Sequence, residues 1–537
     1  MRPLHSVFFL AAASVAFCSA MPQPAPTRVN VPAGHPDPED FFTSSEQCGV
    51  CHTTAPAANA MRTATGDDVS PYGLWQGTMM ANSFRDPYFR AQMRKETIAK
   101  GEEVQELCLR CHAPMMSHGL AMSGEPRPRL AQIEMDTFSD DGVSCTVCHQ
   151  IADEKLGQPE SWSGNPTINK ERKIFGPFAD VATGPMRNMV RYTPQQGTHI
   201  RKSALCATCH TLFTEHHGTP FPEQTPYLEW RNSEFSDEGG RDDTSRTCQE
   251  CHMPETGPTR IARNPMGFDF LIPVRDGYRA HAFVGGNAFM LQMLDRNREE
   301  LDVIAESASL QRMITATRRQ LAELTAKLTV SPVTREDGKL LFTVRVDNKT
   351  GHKFPTGYPS RRAWLAIEVR QGRRVVFESG AFDDKGRIVG LTDELGRPHV
   401  QVVEKPEDVV IYEMVAQDPD GAPTTHLTKM VKKGKDSRLL PRGWRKDGPH
   451  PEETAPVGTD GDADFVEGSD TVHFKIPAPE GRGAVQVVAR LYYQTIPPAW
   501  VEALRGIDAD ECKRFVQMYD AADKTPETVA VAVGRER

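Results

Sequence analysis

Cys48-Gly49-Val50-Cys51-His52 is the first of five segments with one spacing. Cys108-Leu109-Arg110-Cys111-His112, Cys145-Thr146-Val147-Cys148-His149, Cys206-Ala207-Thr208-Cys209-His210 and Cys248-Gln249-Glu250-Cys251-His252 follow it. Two thiols three residues apart reach the two vinyl groups of one haem, and the adjoining imidazole reaches its iron. The pattern therefore predicts covalently bound haem c, five groups in all, with His52, His112, His149, His210 and His252 as proximal ligands. Ten of the 12 cysteines serve these motifs.

Cys48 to His252 spans 205 residues, 41 per motif. So short a stretch cannot build a thick apolar core around each macrocycle, so the haems themselves are expected to form the core, wrapped in loops and short helices with little sheet. Net charge is -9 and 38 % of residues are hydrophobic. That acidic balance excludes nucleic acid as a partner and leaves redox proteins as the expected ones. The basic run Lys429, Lys432, Lys433, Lys435 reads as a solvated loop.

Arg2, the apolar stretch Leu4 to Phe17 and Cys18-Ser19-Ala20 read as a signal peptide over 1–20, cleaved after Ala20. Acylation at Cys18 is the alternative, although Phe17 is bulky for it. The apolar run is too short to span a bilayer, and no other segment qualifies, so a periplasmic or extracellular protein is expected. Residues 21–44, rich in Pro and small side chains, read as an extended lead-in.

The first cysteines of successive motifs are 60, 37, 61 and 42 residues apart. This alternation suggests a duplicated two-motif unit within a haem domain over 45–284. Tyr72-x-x-Trp75 before the second motif recurs as Tyr227-x-x-Trp230 before the fifth, and Gln76-Gly77-Thr78-Met79 recurs as Gln196-Gly197-Thr198-His199. Over 285–328, Leu310, Ile314, Thr317, Leu321, Leu324 and Leu328 form a one-sided stripe, which predicts a helical connector. From 329 to 537 the apolar period becomes two, as in Leu340, Phe342, Val344 and Val346, and predicts an antiparallel β-sandwich. The fold class is thus multidomain α+β: haem-packed N-terminal half, helical connector, C-terminal sandwich. Cys512 reads as a small buried hydrophobe.

What closes each iron's second axial position decides function. A second His or a Met makes a carrier, and an open position admits substrate. His199 lies in a loop seven residues before the fourth motif. His281 precedes two glycines, and His352 sits in a Gly/Pro-rich turn, Thr350-Gly351-His352-Lys353-Phe354-Pro355-Thr356-Gly357, able to hold an imidazole towards the haem domain. His118 and His217 follow motifs closely, and Met79 occupies the position echoed by His199. These six are the distal candidates. His399, His426, His450 and His473 read as structural. Asp460-Gly461-Asp462-Ala463-Asp464 begins like a calcium loop, but Phe465 stands where such a loop needs Gly, so it reads as a solvated acidic turn.

Leu107-Cys108-x-x-Cys111-His112-Ala113-Pro114, Gly142-Val143-Ser144-Cys145-x-x-Cys148-His149 and Cys248-x-x-Cys251-His252-Met253-Pro254 resemble the multihaem cytochromes of the cytochrome c-554-like and hydroxylamine-oxidoreductase-like superfamily. Gly351-His352-Lys353-Phe354-Pro355-Thr356-Gly357 is similar to a Gly-His-x-x-Pro-Thr-Gly turn in relatives that carry a β-domain. The resemblance implies closely stacked haem pairs, mostly with two histidines per iron, and supports His199, His281 and His352 as distal ligands. Because that superfamily mixes carriers with enzymes, three functions are in play. The first is an electron-transfer protein, the second an oxidoreductase acting on a small nitrogen or sulfur compound at one open haem, and the third a subunit of a haem wire or larger redox complex.

Overall fold

The computed structural model describes residues 38–133, 136–481 and 483–536. The expected signal peptide 1–20 and most of the 21–44 lead-in lie outside the described residues. The end of that lead-in is not extended. Pro38–Phe41 is a helical turn, and Phe41 and Phe42 are buried against Met115 and Val147.

The motifs sit on short helices, among them Ser45–His52, Val104–His112, Cys145–Cys148 and Cys248–His252. One helical turn brings positions i and i+3 to one face, so the two thiols of a motif point the same way. The last of these helices has a full capping box. Thr247 accepts from the Glu250 N–H at 3.3 Å, and the Glu250 carboxylate accepts from the Thr247 N–H at 2.8 Å. Among the described residues of this half, strands form two pairs. Lys173–Gly176 runs parallel to Thr193–Gln196, and Leu212–His216 forms a hairpin with Thr219–Gln224. The haem half is as poor in sheet as its length per motif implied.

Beyond residue 325 two sheets pack face to face. The first has the order Val402–Val403, Ser469–Pro477, Lys339–Asn348, Ala326–Val330. The second runs Lys432–Asp436, Ile411–Gln417, Arg362–Gln371, Val485–Gln494, Glu527–Arg535. Pairing is antiparallel except between Val402–Val403 and Ser469–Pro477. Period-two alternation sends Phe342, Val344 and Val346 inward from one sheet to meet Leu365, Ile367, Val487 and Leu491 from the other. Phe342 lies opposite Phe474 with ring centres 4.7 Å apart. This is the expected sandwich.

Ala288–Arg296 and Ser307–Arg319 supply the expected helical pair. Leu310, Ile314, Thr317 and Leu321 are buried, but the stripe ends there. Gln320–Thr325 winds into a π-helical turn, whose wider pitch carries Leu324 round to solvent, and Leu328 is buried as a residue of strand Ala326–Val330. The basic run is likewise not a solvated loop. It enters strand Lys432–Asp436, where Lys433 pairs with Asp436 at 3.3 Å and Lys435 with Glu413 at 3.1 Å.

The region expected to be a β-sandwich also contains helices, the longest being Pro498–Arg505 and Asp510–Ala521. Val501, Leu504, Cys512 and Phe515 join Ala91 of helix Pro87–Lys100 in one apolar cluster, which fastens the sandwich to the haem half. Cys512 is buried as expected, with its thiol donating to the Ala91 carbonyl at 3.5 Å. Phe515 is fully buried here, so Phe515→Ala is expected to cost ~3–5 kcal/mol by transfer and cavity terms. Denaturant titration checks this, and a loss below about 1 kcal/mol would contradict the docking. Among the described residues no helix is long and apolar enough to cross a membrane.

Candidate haem-binding site

All ten motif cysteines and all five motif histidines line one cavity of about 2100 Å³. That is well beyond the ~300–1,000 Å³ of a site for one small molecule.

Four motif imidazoles are oriented in the same manner. Nδ1 of His52 meets the Ile261 carbonyl at 2.9 Å, that of His112 the Ser83 carbonyl at 2.9 Å, that of His149 the Phe175 carbonyl at 2.6 Å, and that of His252 the Val284 carbonyl at 2.5 Å. A carbonyl can only accept, so Nδ1 carries the proton and Nε2 keeps its lone pair for a metal. Burial pushes His112 and His210 down to about 4, which holds them in the neutral, ligating form.

Two further imidazoles face this set. The rings of His149 and His281 are 6.1 Å apart and inclined by 21°, and those of His252 and His352 are 6.2 Å apart and inclined by 12°. Nδ1 of His281 meets the Arg279 carbonyl at 3.2 Å and that of His352 the Lys353 carbonyl at 2.8 Å. An imidazole nitrogen sits about 2 Å from a first-row metal, with the ring centre roughly 1 Å behind it, so two rings sharing one ion have centres about 6 Å apart. Both gaps have the span of one metal ion, and the donor set fits haem iron.

The other distal candidates fare differently. His118 is buried on the cavity wall, with Nε2 at 3.2 Å from the Arg110 carbonyl and Nδ1 at 3.4 Å from the Arg127 guanidinium. Met79 also lines the cavity. His199 is buried, but its Nε2 meets the Ile151 carbonyl at 2.8 Å and it stands outside the cavity wall, edge-on to Phe175. His217 is exposed at the tip of the hairpin that Leu212–His216 forms, at a φ of 48°. His281 and His352 thus stand opposite motif imidazoles, whereas His199 is buried beside the cavity wall and His217 is exposed.

The motifs touch in a definite order. Helix Ser45–His52 packs against Cys145–Cys148, Ser203–Ala207 packs against Cys248–His252, and Gly164 joins the second motif to the fourth, lying against Cys111 and donating to the Thr208 carbonyl at 2.7 Å. The Tyr-x-x-Trp echo belongs to this arrangement, but not as its place in sequence suggested. Trp75 Nε1 donates to the Val143 carbonyl at 2.9 Å, and Trp230 Nε1 to the Arg246 carbonyl at 2.8 Å. Each acceptor stands two residues before a motif, the third and the fifth. The repeated unit is thus a motif, a Tyr-x-x-Trp helix and the motif that contacts the first, with the second motif inserted.

His352 is held from both halves of the molecule. The fully buried carboxylate of Glu229, on helix Pro226–Arg231, accepts from the Lys353 N–H at 3.1 Å, Thr356 Oγ1 at 2.5 Å and Arg438 at 2.9 Å. Lys353 Nζ and Arg438 also grip Asp436, at 2.7 Å each. Burial alone would raise Glu229, but Arg438 and Lys353 hold it below the usual carboxylate range.

Sequence reading passed over a polar stretch of the cavity wall. Tyr88 and Tyr358 line it, edge to face at 5.8 Å, and among the described residues Nε of Arg361 has no hydrogen-bond partner. Arg361 is among the groups that depress His210. No local motif announces these residues. Burial pushes the neighbouring Glu223 carboxyl up to about 7, against the donor Gln224 and helped by Glu96. The folded chain then keeps a proton that the unfolded chain, at 4.5, releases. That stabilisation is full below about 4.5 and is lost as pH rises through 7, roughly 3 kcal/mol in all. Urea midpoints at pH 5 and pH 8 should converge in Glu223→Gln; an unchanged difference would contradict this.

Residues 47–150 match the family of cytochrome c554 and c-prime. No curated protein matches the chain significantly. Among solved structures, a penta-heme cytochrome c552 from Thermochromatium tepidum is similar in fold, with a TM-score of 0.53 at 19 % identity over 93 % of this chain and 100 % of that one. The chain has both the attachment motifs and the fold of a multihaem c-type cytochrome.

Proposed function

We propose that the chain is an exported electron carrier that binds five haem c groups and relays electrons between redox partner proteins. Each haem supplies a one-electron change at its iron; the chain supplies axial ligands, spacing and local polarity. The contact order of the motifs carries the reading. The first motif meets the third, the fourth meets both the second and the fifth, and Cys148 of the third lies near Cys209 of the fourth. Electrons entering at one end therefore meet no gap between motifs. His149 with His281 and His252 with His352 serve as bis-imidazole ligand pairs, while His118, His199 and Met79 are the candidates for the remaining irons. A coulometric titration of the haem-loaded protein should take up five electrons per chain in overlapping steps, and fewer would contradict the reading.

Arg361, whose charge acts on His210, favours a second reading, in which that iron is open to a small nitrogen or sulfur oxyanion held by the guanidinium. Nitrite added to the oxidised protein then shifts a high-spin ferric resonance. Five low-spin signals that ignore nitrite would leave the carrier alone.

A further inference from the structure

The acidic segment Asp460-Gly461-Asp462-Ala463-Asp464 is the largely exposed turn its sequence suggests, but Asp462 within it is buried. The Asp462 side chain is 4 % exposed, as is that of His399, which it meets through Oδ2 and Nε2 at 2.8 Å. Asp470, on strand Ser469–Pro477, is fully buried beside them. One donor atom from each of the three lies within 4.8 Å of the others. Asp470 Oδ1 and His399 Nδ1 are buried without a hydrogen-bond partner among the described residues. A buried carboxylate oxygen left this way is costly unless something cationic meets it.

Lys435, the cation that His399 feels, is paired with Glu413 at 3.1 Å. Two carboxyl groups and an imidazole thus converge, while the nearby lysine is committed to Glu413. The outer contacts fix their aim. Tyr412 Oη, reaching across from the other sheet, donates to Asp470 Oδ2 at 2.7 Å, and the Asp464 N–H donates to Asp462 Oδ1 at 3.0 Å.

We propose that His399, Asp462 and Asp470 bind a first-row divalent metal ion of the zinc class. One nitrogen and two carboxylate donors leave a further position for water, an arrangement zinc accepts. Calcium is disfavoured because it takes six to eight oxygens and imidazole is not its ligand. The ion would tie the segment leading into Val402–Val403 to the sheet, a structural cross-link distant in sequence from every haem motif.

The haem-loaded, chelator-treated full chain should take up one Zn²⁺ per chain in titration calorimetry, with zinc counted by elemental analysis separately from haem iron, and its thermal midpoint should rise. Asp470→Asn and His399→Gln should each weaken binding by at least about 100-fold. Should Asp470→Asn fail to fold, Asp462→Asn serves as the second carboxylate variant. Three results would overturn the proposal: no zinc uptake by the native chain, uptake undiminished in these variants, or tight uptake of Ca²⁺ in place of Zn²⁺.

Discussion

His352→Ala leaves the iron on His252 with one imidazole, so one low-spin ferric signal gives way to a high-spin one in electron paramagnetic resonance. His281→Ala does the same at His149. In both variants the cysteines are untouched, so the number of bound haems stays the same while the ligand field at one iron weakens. The expectation rests on paired rings 6.1 and 6.2 Å apart, each with Nδ1 tied to a carbonyl. His217→Ala is the control and leaves the spectrum unchanged, because that side chain is exposed at a hairpin tip. Spectra of His281→Ala and His352→Ala indistinguishable from the native one would show that these rings do not share an iron with their partners.

Glu229→Ala is expected to be the most damaging substitution outside the motifs. It strips a fully buried carboxylate from between Arg438 and Lys353, themselves buried. Breaking a buried ion pair from one side leaves uncompensated charge and costs ~3–5 kcal/mol. The damage extends to the haem region, since the same carboxylate fastens Lys353 and Thr356 on either side of the turn that presents His352. Part of the His252 signal should therefore turn high-spin. Glu229→Gln keeps the shape and part of the hydrogen bonding but not the charge, so its loss should be smaller. Chemical denaturation with spectra of the folded protein checks both. An Ala variant as stable as the native chain would contradict the role given to this network.

The attachment chemistry was legible because it is local: a thiol pair and an imidazole at fixed spacing need nothing from the rest of the fold. The sandwich was legible for a similar reason, since a period of two survives in Leu340, Phe342, Val344 and Val346 whatever packs against them. His281 and His352 could be singled out from their glycine and proline neighbours, but their partners could not, because His149 and His252 are reached only through tertiary folding. The Tyr-x-x-Trp repeat was visible as a pattern, yet each indole bonds near a motif later than its place in sequence implies. Lys433 and Lys435 were misjudged because strand Lys432–Asp436 buries them, with Asp436 of the same strand and Glu413 of its neighbour as acidic partners. The helices Pro498–Arg505 and Asp510–Ala521 went unread inside a region whose strands dominated the pattern, although Cys512, Phe515 and Tyr519 recur at helical spacing.

The intact mass of the mature, purified protein tests the central claim most directly. The account predicts the polypeptide mass plus five haem groups, bound through thioether bonds that survive denaturation. A mass with four or fewer, or haem lost to acidified organic solvent, would contradict it.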